Sequence, residues 1–351
     1  MGGRSPCDRI ISLSQTSMRI PVKRIIFSMV PLRPFRLDLT TWALRRRPVN
    51  TIDCWDDRVY RRVLTIDHQP VEVAVEQDGQ PDRARLQVNL TGQKLTRRTQ
   101  VLVKSQLERM LGIRRDLAPF YELANRDPRL APLVEEFRGL KPPQFPTVFE
   151  AIVNGIACQQ LSLLVGILLL SRLAHKFGRT PENRDDSLHT FPAPADLAGV
   201  SNRSLKALGF SGPKAGFLIT LSSAIRDRDL DLEQLTILDN KTALNHLIKL
   251  KGVGRWTAEY VLLRGLGRLD VFPGDDVGAR NNLAHFFGRK GSLDYEGVQN
   301  AVAAWQPYAG FIYFHLLLAR IKENGWLEPK DEGLAVRDPC RTIRFRSAAS
   351  E

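Results

Sequence analysis

Leu250-Lys-Gly-Val-Gly-Arg-Trp-Thr-Ala-Glu-Tyr260 is the stretch from which the fold can be read. Its two glycines, Gly252 and Gly254, let the backbone turn tightly and leave peptide N–H groups uncovered. Apolar residues on either side mark short helices over 241–250 and 255–264. The second helix opens with the positive end of its dipole outward, which suits a phosphate group. An ordinary turn between two helices can use the same residues, so the Gly-x-Gly pair alone does not decide between them. Beyond it stands Val271-Phe-Pro-Gly-Asp-Asp-Val277, which puts Asp275 and Asp276 at the mouth of a helix over 277–287.

Around this segment the chain reads as helices. Thr147 with Glu150 forms a capping box that opens one long helix through Phe177, with Gly178 ending it. Further helices are expected over 201–208, 213–226, 295–305 and 308–324, the last two separated at Pro307. Before residue 113 the pattern changes. Val71–Glu76 alternates with period two, Asp78-Gly79 supplies a turn, and 83–90 follows as the partner strand after an earlier strand over 60–67. Helices over 40–47 and 96–111 flank these strands, the second with Val101, Leu107, Met110 and Leu111 on its apolar side. The fold class is therefore α+β: a small N-terminal antiparallel-sheet domain over 34–112, then an all-α region over 113–328 made of two helical subdomains with a cleft between them. Residues 329–351 form a polar tail. Residues 1–33, basic and without apolar periodicity, are set outside the fold as a disordered extension or a mis-assigned start upstream of Met29.

Composition narrows the classes of function. A chain of 351 residues with 43% apolar and 25% charged types is that of a globular protein with more than one core. Its formal charge of +13 suggests a polyanionic partner, although ten Lys/Arg against two Asp in residues 1–50 account for much of the excess. Four scattered cysteines and six histidines without ligand spacing argue against a zinc ribbon, an iron–sulfur cluster or a disulfide scaffold, and fit a reducing compartment. Ala151–Ser171 carries no charge for 21 residues, but Gln159 and Gln160 near its centre mark a buried helix and not a membrane span.

Together, the hairpin, the following helix, Leu-Arg-Gly at 263–265 and Phe-Pro-Gly-Asp-Asp at 272–276 resemble the helix-hairpin-helix DNA glycosylase superfamily. Within it they resemble the 3-methyladenine DNA glycosylase II branch. The likeness extends through residues 34–328, from the leading α+β unit to Gly325-Trp-Leu-Glu. It implies a monofunctional enzyme that flips alkylated purines such as 3-methyladenine out of double-stranded DNA and hydrolyses the glycosidic bond. Asp276 is then the catalytic carboxylate beside a sugar that gains oxocarbenium character, and Asp275 the better candidate for a structural helix cap. Relatives resembling endonuclease III and 8-oxoguanine glycosylase attack the sugar with a lysine at the position of Trp256. A tryptophan cannot form a Schiff base, so lyase activity is not expected.

The resemblance also assigns Trp256, Tyr260 and Tyr308 to the base pocket, where electron-rich rings suit a cationic base. It assigns Gln160 to the gap left by the flipped nucleotide, and Lys251, Gly252, Gly254 and Arg255 to the DNA backbone. The backbone carbonyls of Ile248, Leu250 and Val253 match a site for a monovalent cation, Na+ or K+; no cofactor is otherwise required. Arg264 and Arg280 are further phosphate or structural cations. A cytoplasmic monomer acting at a bacterial nucleoid, with no membrane partner, is the expected setting. The rival reading is a non-catalytic hairpin protein that binds DNA and senses damage.

Overall fold

The computed structural model describes residues 22–181, 188–291 and 293–327. Five antiparallel strands, β1 (Lys23–Met29), β2 (Cys54–Trp55), β3 (Val59–Ile66), β4 (Gln69–Asp78) and β5 (Arg85–Gly92), form one sheet in the order β1-β5-β4-β3-β2. Period-two alternation puts Tyr60, Val75 and Val88 in register on the face that is buried. Helices α1 (Leu37–Arg45) and α2 (Arg97–Met110) complete this unit. The helical region follows with α3 (Ala118–Asn125), α4 (Leu130–Glu136), α5 (Val148–Cys158), α6 (Leu163–Phe177), α7 (Pro194–Leu197), α8 (Asn202–Ala207) and α9 (Gly212–Arg226). It ends with α10 (Asn240–Ile248), α11 (Arg255–Arg264), α12 (Val277–Phe286), α13 (Tyr295–Val302) and α14 (Ala309–Glu323). Helix α14 is apolar on nearly every side and is buried almost throughout, as such a composition requires.

Several expectations need correction. Lys23–Met29, set outside the fold on its composition, is an edge strand paired along its length with β5, Phe27 opposite Val88. Its two basic residues at the start hide a short alternation, and an edge strand needs only one partner. Residues 1–21 and the tail from 328 onward lie outside the described residues. The single helix expected over 147–177 is two helices. Gln160 adopts a left-handed conformation (φ 54°), and Ser162 caps α6 by accepting from the Val165 N–H. The two helices meet closely enough that a Cβ on Gly166 would lie 2.6 Å from the Cys158 sulfur. Among the described residues no helix is long and apolar enough to cross a membrane. Val101 faces solvent, and Val103, Leu107 and Met110 form the buried stripe of α2 instead.

Thr147 does cap α5, accepting from the Glu150 N–H, but the Glu150 carboxylate does not turn back to complete a capping box. It is spent across the domain boundary. Arg62, on the buried face of β3, donates to Asp53 at 2.7 Å and to both oxygens of Glu150 at 2.6 Å. All three groups are almost completely buried, so the pairing fixes the start of α5 against the sheet. Removing one member leaves uncompensated buried charge. Arg62→Leu is therefore expected to cost about 3–5 kcal/mol in equilibrium urea unfolding, and a loss below about 1 kcal/mol would show that the triad does not hold the two units together.

Candidate active site

The hairpin between α10 and α11 is built as its sequence requires. Gly252 sits at φ 87°, a conformation that side-chain-bearing residues rarely adopt. Gly254 caps α11 without any side-chain hydrogen bond, leaving the first N–H groups of that helix open. Val253 is buried under the turn, whereas Lys251, Gly252, Gly254 and Arg255 are exposed. Gln159 pins the hairpin to the end of α5, donating to the Gly252 carbonyl and to the Thr257 hydroxyl, each at 2.9 Å. Its neighbour Gln160 points the other way and is exposed. Of the three carbonyls matched to a cation, that of Leu250 accepts from the Val253 N–H at 3.0 Å. No turn or loop backbone hydrogen bond among the described residues ends on those of Ile248 and Val253. Neutral carbonyl oxygens are a donor set that fits Na+ or K+.

Asp276 joins this hairpin to the next helix. Its Oδ1 accepts from the Ala279 N–H at 2.9 Å and so caps α12, and its Oδ2 accepts from the Trp256 indole N–H at 3.1 Å. The cap is therefore Asp276 and not Asp275. Asp275 instead pairs with Arg255, whose Nε is 2.7 Å from its Oδ2. Arg255 also lies 3.7 Å over the Tyr295 ring, so the residue expected to grip phosphate is already engaged within the protein. Tyr295 donates its hydroxyl to Glu259 at 2.7 Å, and the other Glu259 oxygen accepts from the Gly274 N–H at 3.0 Å. Burial pushes the Glu259 carboxyl up, and these two donors pull it back. Arg255, Tyr295, Glu259 and the 274–275 backbone thereby close a ring around the loop that presents Asp276.

Behind Trp256 lies Tyr260, one helical turn on, with ring centroids 5.8 Å apart. Tyr260 is buried, and its hydroxyl accepts from Arg46 at 2.9 Å; Arg46 also donates to Asn154 at 2.8 Å. Tyr313 on α14 is likewise buried, and burial together with the nearby Asp276 charge raises its hydroxyl pKa. Tyr308, expected in the same group, caps the start of α14 and packs edge-on against Phe120 at 5.5 Å. Among the described residues it makes no ring contact or hydrogen bond with Trp256, Tyr260 or Asp276. Tyr313, five residues further along α14, packs against Phe272 and Phe314 and lies within the electrostatic reach of Asp276. Sequence reading missed Arg46, Asn154, Glu259, Tyr295 and Tyr313. Only Glu259 lies within the motif, and nothing local marks the others, because their partners are far away in the chain. Glu259→Ala would leave the buried Gly274 N–H without an acceptor and is expected to cost about 1–3 kcal/mol of stability in a denaturant titration. Glu259→Gln, which can still accept from Gly274, should cost less. Equal losses would mean that the side chain contributes packing and not that hydrogen bond.

Comparison with known proteins places both the sheet unit and the helical region. The family model described as HhH-GPD superfamily base excision DNA repair protein matches residues 153–307, and that of the AlkA N-terminal domain matches residues 28–145. The DNA-3-methyladenine glycosylase of Bacillus subtilis is 32% identical over 206 residues, covering 58% of this chain and 68% of that protein. DNA-3-methyladenine glycosylase 2 of Escherichia coli is 28% identical over 277 residues, covering 78% of this chain and 90% of that one. A solved 3-methyladenine DNA glycosylase from Archaeoglobus fulgidus superposes with a TM-score of 0.74 at 24% identity, over 83% of this chain and 97% of that one. The fold is shared more widely, since the 8-oxoguanine glycosylase/lyase of Clostridium acetobutylicum gives a TM-score of 0.66 at 15% identity, over 86% of this chain and 98% of that one. The chain belongs to the HhH-GPD superfamily of base-excision DNA repair glycosylases, in the 3-methyladenine glycosylase type that carries an AlkA N-terminal domain.

Proposed function

We propose that this glycosylase hydrolyses the N-glycosidic bond of alkylated purines in duplex DNA and leaves the strand intact. The observation that carries the reading is the hydrogen bond from the Trp256 indole to Asp276, which sets a carboxylate beside a half-buried aromatic face at the hairpin. The exposed hairpin, with Lys251 and the open N–H groups of α11, binds the DNA backbone without reading sequence. A monovalent cation held by the Ile248, Leu250 and Val253 carbonyls would add positive charge to that contact. Gln160, exposed at its left-handed turn, fills the space vacated by the flipped nucleotide. The base stacks on Trp256.

As the bond from C1′ to the base nitrogen breaks, its electron pair leaves with the purine and positive charge gathers on the sugar. Asp276 stabilises that charge and orients the water whose oxygen bonds to C1′; the water's proton passes to the carboxylate and then to solvent. An alkylated, cationic purine departs neutral and needs no protonation. No amine stands at position 256 to trap the sugar, and Lys214 is held by the Gln159 carbonyl at 2.6 Å. This supports hydrolysis without strand cleavage.

Incubation with methylated duplex DNA should release 3-methyladenine and leave abasic strands that break only on later alkali. Asp276→Asn should lower the release rate by about 10²-fold or more while binding to abasic DNA persists. Release by Asp276→Asn at the wild-type rate would overturn the assignment, and protein trapped on DNA by borohydride would overturn the monofunctional reading.

A further inference from the structure

Among the described residues, the buried guanidinium groups of Arg46 and Arg264, behind Trp256 and Tyr260, form no ion pair. Arg46 leaves the end of α1 in a left-handed conformation (φ 63°) and reaches the helical region, where its hydrogen bonds go to the Tyr260 hydroxyl, Asn154 and the Cys158 thiol. Its Nε has no partner. Arg264, fully buried, donates to the Ala43 and Leu44 carbonyls, and its Nε and Nη1 have no partner. Both guanidiniums lie over the Phe145 ring, at 5.8 and 5.1 Å, and Arg264 is also 5.8 Å from the Tyr260 ring. Buried charge with unpaired donors is costly, so its persistence beside a reaction site calls for a return elsewhere.

The charges are ordered along one line of contacts. Asp276 touches Trp256, Trp256 adjoins Tyr260, and Tyr260 touches Arg46. Negative charge therefore stands at one end, where the sugar is proposed to lie, and positive charge at the other, behind the base. Arg46 has only donors, so the Tyr260 oxygen must accept from it, which leaves the phenolic proton free to be donated elsewhere. No acceptor for that proton occurs among the described residues. A fixed guanidinium in a low-dielectric interior acts over several ångströms and sharpens such a donor.

We propose that Arg46, acting through Tyr260 and through its own field, stabilises the electron density that collects on the departing base. The contribution is confined to bases that are neutral before cleavage. The inference rests on Asp276 being the sugar-side carboxylate. The sign follows from the charge that the base brings into the pocket from the duplex. A neutral purine becomes partly anionic at the transition state and gains from the positive field. A cationic N-alkylpurine keeps a residue of positive charge there and gains nothing. Arg46 is a positioning and field residue in this scheme, and the bonds formed and broken are those already given, with the departing anion protonated by solvent.

The test is single-turnover release of hypoxanthine and of 7-methylguanine from duplex DNA by wild type, Arg46→Met, Arg46→Lys, Tyr260→Phe and Asp276→Asn. Arg46→Met should slow hypoxanthine release by about 10- to 100-fold and leave 7-methylguanine release within about threefold of wild type or faster. Arg46→Lys should restore part of the hypoxanthine rate. Tyr260→Phe, which keeps the ring of a pocket residue, should lower hypoxanthine release by a larger factor than 7-methylguanine release, and that ratio decides the matter if Arg46→Met fails to fold. Parallel losses on both bases, no loss on either, or a wild type that releases no hypoxanthine would overturn the proposal. Retention of 7-methylguanine release by Asp276→Asn would instead overturn the reading on which it rests.

Discussion

A single carboxylate is held from two sides by groups that belong to different parts of the chain. The Trp256 indole comes from the first turn of the hairpin's second helix, and the Ala279 amide from the first turn of the helix that follows. Each oxygen of Asp276 accepts one of these donors, so its orientation is determined once the two helix starts are determined. A helix cap on its own would leave the second oxygen uncommitted. The Arg255, Tyr295 and Glu259 ring removes the remaining freedom of the loop at Gly274 and Asp275. Pre-organisation of this kind is what allows a fixed charge to act on a transient one without reorganisation at the moment of reaction.

The sheet domain contributes to the same end from outside. Its Arg62 holds the start of α5 through Glu150, and the far end of that helix, through Gln159, holds the hairpin. Its α1 sends Arg46 to Tyr260. Two arginines from one small domain thus reach opposite ends of the helical region's machinery. The N-terminal unit packs into the helical region, and a description confined to that region would lose the guanidinium behind Tyr260.

How much of this was legible depended on whether a partner was near in sequence. The α11 boundaries, the left-handed Gly252 and the place of Asp276 all follow from short-range geometry, and all are found where the motif puts them. The break at Gln160 was hidden because Leu161 to Leu170 continues the apolar run and only Ser162 marks a new cap. That Asp276 also caps α12 while Asp275 pairs with Arg255 could not be read, since either residue can cap a helix and Arg255 engages Asp275 from twenty positions away. Tyr313 shows the same limit: it lies on α14, far along the chain from Asp276, and only the packing of that helix against α1, α4 and α12 brings it within the electrostatic reach of the carboxylate. Strand β1 is hidden for a different reason: two basic residues and the exposed Ile26 mask the inward alternation of Ile25, Phe27 and Met29.

Affinity for uncleavable abasic mimics would probe the heart of the matter without turnover, since a pyrrolidine ring carries positive charge where the reacting sugar does and a tetrahydrofuran ring is neutral. The wild type should bind duplex DNA bearing the pyrrolidine at least about 10²-fold more tightly than the tetrahydrofuran duplex, and Asp276→Asn should bind the two alike. Equal affinities in the wild type, or an undiminished preference in the variant, would show that the carboxylate does not face the sugar.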